Sequence, residues 1–141
     1  MTITIPLQII DLHEDGFHVL IDVSVYDNPF ILVLDTGASK TAFDRNMLLH
    51  AGEKIKIISS DRLSTGLGTN SMSSATAILN DFHIGDLKLD AFEVAVLDLS
   101  AINIAYRQMN HPEILGVLGG DILMKYKAVI DYGNSLLTLN I

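Results

Sequence analysis

Between Phe17 and Leu34 the chain carries two burial patterns back to back, and together they limit what it can fold into. "FHVLIDVSVYD" sets Val19, Ile21, Val23 and Val25 two residues apart, the period of a strand with one buried face. "ILVL", residues 31 to 34, has no polar residue at all. A short branched run of that kind suits a strand covered on both faces. Further on, "SMSSATAILNDFHIG" and "DLKLDAFEVAVLDL" alternate more loosely, with turn residues between them. The fold class this predicts is mainly β. Two stretches break the rhythm. "FDRNMLLHAG" offers Asp44 as a helix N-cap with Gly52 beyond its end, and "DLSAINIAYRQMNHP" offers Ser100 as the cap of a helix that stops before Pro112. A third, "GGDILMKYK", has room for about two turns of helix.

Composition removes several classes of function. A chain of 141 residues fits one domain, 1–141, with no internal repeat or linker-like shift in composition. Without cysteine there is no disulfide scaffold, thiolate nucleophile or sulfur metal site. The formal charge of −8 and nine scattered basic residues argue against nucleic acid and anionic membrane as partners. The start, "MTITIPLQII", has no basic leader region, and no apolar run approaches the roughly 18 residues of a spanning helix. A soluble, cytoplasmic protein is the expectation. The five histidines are dispersed, without the paired spacing of a zinc helix, so neither a metal nor a cofactor is expected.

The apolar run 31–34 opens directly into "DTGAS". Asp35, Thr36 and Gly37 each have an ordinary reading as a turn cap, a strand-end hydroxyl and a turn glycine. Three pieces in order weigh against it: "LVLDTGAS" at 32 to 39, "STGLGTNS" at 64 to 71, and "GVLGGDIL" at 116 to 123. On these the chain resembles the aspartic peptidases, and within them the single-lobe, retropepsin-like branch. The resemblance implies a closed, barrel-like acid-protease lobe with short helices, whose active site forms at a homodimer interface. Peptide or protein would be the substrate.

In that family two carboxylates share one proton. One acts as base on a water, the other donates toward the carbonyl oxygen, and no covalent intermediate forms. One chain supplies a single such acid, Asp35, so a symmetric pair would supply the dyad across its two-fold axis. The resemblance assigns Thr36 to hydrogen bonds across that axis and Gly37 to close approach of substrate or water. Ala38 and Ser39 would line the peptide site. Ala38 stands where pepsin-type relatives carry Ser, and Ser39 where retroviral enzymes usually carry an acid. The hairpin "STGLGTNS" would be a flap, with Thr65, Gly66, Leu67 and Gly68 over the substrate. Val117, Leu118 and Gly119 would pack beneath the catalytic loop, and "AVIDYGNSLLTLNI" would be a closing hairpin turning near Gly133 and Asn134.

Other chemistries fit less well. Asp131 also follows an apolar run as Asp-x-Gly, but Tyr132 occupies the position where a small hydroxyl residue belongs, and Asp131 reads as a turn or helix-facing acceptor. A phosphoaspartate enzyme would want a second acid where Gly37 stands, and the "GVLGGD" glycines lack a clear βα unit for a dinucleotide. Lys40 reads as a solvated loop residue. Residues 98–112 have no counterpart in the shortest viral enzymes, which leaves them to cover the core, extend the dimer interface or restrict the cleft. The alternative function is a dimeric peptide-binding or scaffold module that keeps the fold and holds an extended peptide by strand addition without cutting it.

Overall fold

The computed structural model describes residues 1–52, 55–63 and 73–141. In chain order the strands are β1 (Thr2–Pro6), β2 (Gln8–Asp11), β3 (Phe17–Val25), β4 (Asn28–Leu34), β5 (Ala42–Asp44), β6 (Ile57–Leu63), β7 (Ser73–Leu79), β8 (Phe82–Ile84), β9 (Leu87–Leu89), β10 (Phe92–Leu97), β11 (Gly116–Leu118), β12 (Val129–Asp131) and β13 (Leu136–Asn140). The helices are α1 (Arg45–Leu49), α2 (Ser100–Gln108) and α3 (Gly120–Lys125). Mainly β is therefore the observed class, with helices of no more than 9 residues.

A ten-stranded sheet follows the order β6-β7-β10-β5-β11-β4-β3-β8-β9, with β2 added to β3, and a three-stranded sheet runs β1-β13-β12. The smaller sheet joins the two ends of the chain, pairing Thr2 with Asn140 and Pro6 with Leu136. Among the described residues, five pairs of consecutive strands form hairpins: β2–β3, β3–β4, β6–β7, β8–β9 and β12–β13. Between β3 and β4 only Tyr26 and Asp27 intervene, at φ 49° and 64°, the pair of positive angles a two-residue turn of the primed type demands.

The alternation in β3 delivers what it promises, since Val19, Ile21, Val23 and Val25 all enter the main core. There they meet Phe43 and Phe82, fully buried and packed edge to face with ring centroids 5.5 Å apart. Each such side chain contributes roughly 1.5–3 kcal/mol by leaving water. In β4, Leu32 joins this core while Val33 joins a second cluster with Ile10, Leu12, Leu20, Tyr106 and Ile114. The apolar run is thus covered on both faces, as its composition requires.

Helix α2 supplies the second cover. Tyr106 from α2 is 3% exposed and sits in the second cluster, so residues 98–112 serve to cover the outer face of β3 and β4. Asn103 pins the helix by accepting the Ile114 N–H at 2.8 Å and donating to the Ile114 carbonyl at 3.0 Å. Asp44 caps α1 as expected, accepting the Met47 N–H at 3.0 Å, and its other oxygen accepts the Leu99 N–H at 2.8 Å. Ser100 is not the cap of α2. It is the first helical residue, and its N–H donates to Asp98, two positions back, at 3.0 Å, because an aspartate there can accept a free amide of the first turn.

Candidate active site

Strand β4 ends at Leu34, and the next amide, that of Asp35, donates to the Leu118 carbonyl at 3.0 Å. This is the last rung of a parallel ladder in which Val33 faces Val117 and Leu34 faces Leu118. The ladder fixes where the loop begins. Asp35, Thr36 and Gly37 then emerge exposed at the surface, with Ala38 half-buried and Ser39 exposed. Asp35 turns back on its own loop, accepting the Gly37 N–H on Oδ1 at 3.0 Å, and its carbonyl accepts the Ala38 N–H at 3.1 Å.

Gly37 differs from its reading as a turn glycine in one respect. Its φ lies outside the left-handed region, and what it gives is room: a Cβ there would stand 3.3 Å from Asp35 Oδ1. Thr36 stands at the rim of an open apolar recess of about 260 Å³, together with Gly120, Leu123, Met124, Ala128 and Ile130. Met124 is 83% exposed at that rim.

Val117 and Leu118 lie in β11, paired with Val33 and Leu34, and Gly119 follows them. Leu118 is fully buried, and β11 is held between β4 and β5. Gly119 is the tightest fit at the loop itself, because a Cβ would stand 2.5 Å from the Lys40 carbonyl carbon and 2.9 Å from the Ala38 oxygen. Three further residues of this site carry no assignment in the sequence reading. Gly116 lets β11 touch β5, where a Cβ would come within 1.9 Å of the Ala42 oxygen. Thr41 and Asp121 join the far end of the loop to α3, the Thr41 hydroxyl donating to Asp121 Oδ1 at 2.8 Å. Only the glycine run around 116–120 hinted at such close packing.

Thr65, Gly66, Leu67 and Gly68 lie outside the described residues, which reach the flanks of that hairpin in β6 and β7. Asp131 is a turn acceptor. Asn134 donates to it from its backbone at 3.0 Å and its side chain at 2.8 Å, and these bonds hold the Asp131 carboxyl below the usual aspartate range. Lys40 is exposed and stands 3.6 Å from Glu93, a pairing worth little in solvent. Among the described residues, no group of three or more His, Asp or Glu side chains is gathered to hold a metal ion. No helix among them is long and apolar enough to cross a membrane.

A single carboxylate on an exposed loop joined by its backbone to an apolar strand can polarise a water and accept its proton. Residues 21–122 match the aspartyl protease family. The fold is similar to the crystal structure of a retropepsin-like aspartic protease from Rickettsia conorii, with a TM-score of 0.58 and 23% identity over 99% of this chain and 90% of that one. It is also similar to the retroviral protease-like domain of Ddi1 from Leishmania major, with a TM-score of 0.53 and 12% identity over 85% of this chain and 86% of that one. No curated protein matches the sequence. With the family match spanning most of the sequence and the strand-loop-strand arrangement around Asp35 in place, the chain belongs to the aspartyl protease family and has the retropepsin-like fold.

Proposed function

We propose that the protein is an aspartic endopeptidase in which Asp35 from each subunit of a homodimer forms the water-activating pair, with residues 1–141 as one peptidase domain. The observation that carries the reading is the placement of Asp35: it directly follows a strand buried on both faces, yet emerges exposed on a loop anchored to the Leu118 carbonyl. A carboxylate held there by the backbone is free to meet a symmetry mate. One Asp35 then takes a proton from the attacking water while the other, protonated, donates toward the scissile carbonyl, and a tetrahedral diol forms and collapses without an acyl-enzyme.

In this scheme Thr36, exposed beside Asp35, ties the two loops across the axis, and Gly37 keeps the approach to the carboxylate open. Ala38 and Ser39 line the groove for an extended peptide, and Thr65, Gly66, Leu67 and Gly68 close over it. Val117, Leu118 and Gly119 hold the loop from beneath. The test is incubation with a diverse peptide library across roughly pH 3 to 7, with Asp35→Asn as control. Cleavage by the wild type and none by the variant supports the scheme. Cleavage that survives Asp35→Asn removes it, and peptide binding without cleavage by the wild type points to a binding module instead.

A further inference from the structure

We propose that Asp121 is a positioning residue for the Asp35 loop, acting through Thr41; its role in catalysis rests on the peptidase reading above. One oxygen of Asp121 collects three donors: the Thr41 N–H at 3.0 Å, the Thr41 hydroxyl at 2.8 Å and the Ile122 N–H at 2.9 Å. The Thr41 hydroxyl in turn accepts the Gly119 N–H at 3.1 Å. Thr41 is completely buried, so its hydroxyl has no water to fall back on. The Gly119 amide, the Thr41 hydroxyl and the Asp121 carboxylate therefore form a chain with one direction, each group donating to the next.

The surrounding backbone repeats the same join. The Gly120 N–H donates to the Ala38 carbonyl at 2.8 Å and the Asp121 N–H to the Ser39 carbonyl at 3.1 Å. Residues 38–41 are thereby stitched to 119–122, while at the other end of the loop the Asp35 N–H is held by Leu118. Between these two anchors only Thr36 and Gly37 are free of the join. Asp121 supplies the sole charged acceptor in it, and an ionised oxygen makes shorter and stronger bonds than a neutral one. Removing it leaves the amide and hydroxyl of the buried Thr41 without their acceptor, and the loop has to shift to find new partners. A displacement near 1 Å at Asp35 would cost on the order of a hundred-fold in turnover.

The experiment compares the full-length wild type with Asp121→Ala, Asp121→Asn, Thr41→Val and Thr41→Ser, using two readouts. Amide hydrogen exchange, followed by NMR, reports the join whether or not the protein cleaves anything. Peptide turnover reports its effect on Asp35. Asp121→Ala and Thr41→Val are expected to speed exchange at Thr41, Gly119, Gly120 and Asp121 while the amides of β3 and β4 keep their protection. They are also expected to lower kcat by on the order of 10- to 100-fold with KM within about two-fold. Asp121→Asn and Thr41→Ser, which keep an acceptor and a hydroxyl, are expected to recover most of both. If Asp121→Ala does not fold, Thr41→Val decides alone. Unchanged exchange at those four amides overturns the proposal, as does equal loss of protection throughout the chain, which would make the pair a general stabiliser. A wild type that cleaves no peptide defeats the peptidase reading alone, since the exchange comparison still decides whether Asp121 holds the loop.

Discussion

Replacing Gly119 with Ala tests the packing that holds the Asp35 loop. The added methyl would stand 2.5 Å and 2.6 Å from the Lys40 carbonyl carbon and oxygen and 2.9 Å from the Ala38 oxygen. All three are backbone atoms, so no side chain can rotate away. Overpacking of this kind costs about 1–3 kcal/mol, and more when backbone must move. Separating the two segments also strains the bonds from Gly119 N–H to Thr41 Oγ1 and from Gly120 N–H to the Ala38 carbonyl, each worth about 0.5–1.5 kcal/mol. The sum is about 2–6 kcal/mol, a large part of the roughly 5–15 kcal/mol that keeps a domain folded. Gly120→Ala is the control, because its methyl would meet nothing closer than 3.5 Å and Ala is the better helix former. Urea unfolding followed by circular dichroism should show the midpoint dropping sharply for Gly119→Ala and holding or rising for Gly120→Ala. Two variants within about 0.5 kcal/mol of each other would refute the close-approach argument.

Asp44→Ala strips the acceptor from the Met47 and Leu99 amides and should cost about 2–4 kcal/mol by chemical denaturation; a loss under about 0.5 kcal/mol would contradict its role as a shared cap. The Asp131 carboxyl, held low by the Asn134 side chain and backbone, should titrate by carboxyl NMR below the ordinary aspartate value. Its folded value is depressed, so its contribution to stability is present above the unfolded value and is lost as pH falls through the folded one; Asn134→Ala should bring the titration back up. Burial pushes the Tyr106 phenol up, and ultraviolet titration of the Tyr106→Phe difference should find it ionising above the ordinary tyrosine value of about 10. In the proposed homodimer, Thr36→Ala should weaken association, losing bonds worth about 0.5–1.5 kcal/mol twice by symmetry, and an unchanged dissociation constant in sedimentation would remove the proposed cross-axis role of Thr36.

How far the sequence could be read depended on whether a signal was local. The two-face burial of β4 was legible because four adjacent apolar residues carry it, and the cap at Asp44 because cap and helix are neighbours. The role of α2 was not legible. An amphipathic segment states that one of its faces is buried but not which surface receives it, and Tyr106 and Val33 are brought together only by the fold. Ser100 misled because Asp98 lay two residues away with the stronger acceptor. At the candidate site, Asp35 announced itself through its flanks, whereas Thr41 and Asp121 are 80 residues apart and each alone looks like an ordinary loop hydroxyl or first-turn acid. Gly116 gives no local signal for a related reason: what its missing side chain accommodates is backbone from β5.

The claim that one Asp35 from each of two subunits makes the reacting pair is tested most directly by mixing subunits. Wild-type protein is combined with Asp35→Asn at fixed total concentration, allowed to exchange, and assayed for peptide cleavage as the proportion changes. If both carboxylates are needed, turnover follows the square of the wild-type fraction, leaving about a quarter in an equal mixture. Turnover that falls only in proportion to the wild-type fraction, leaving about half, would mean that each chain works with its own acid and would contradict the shared pair.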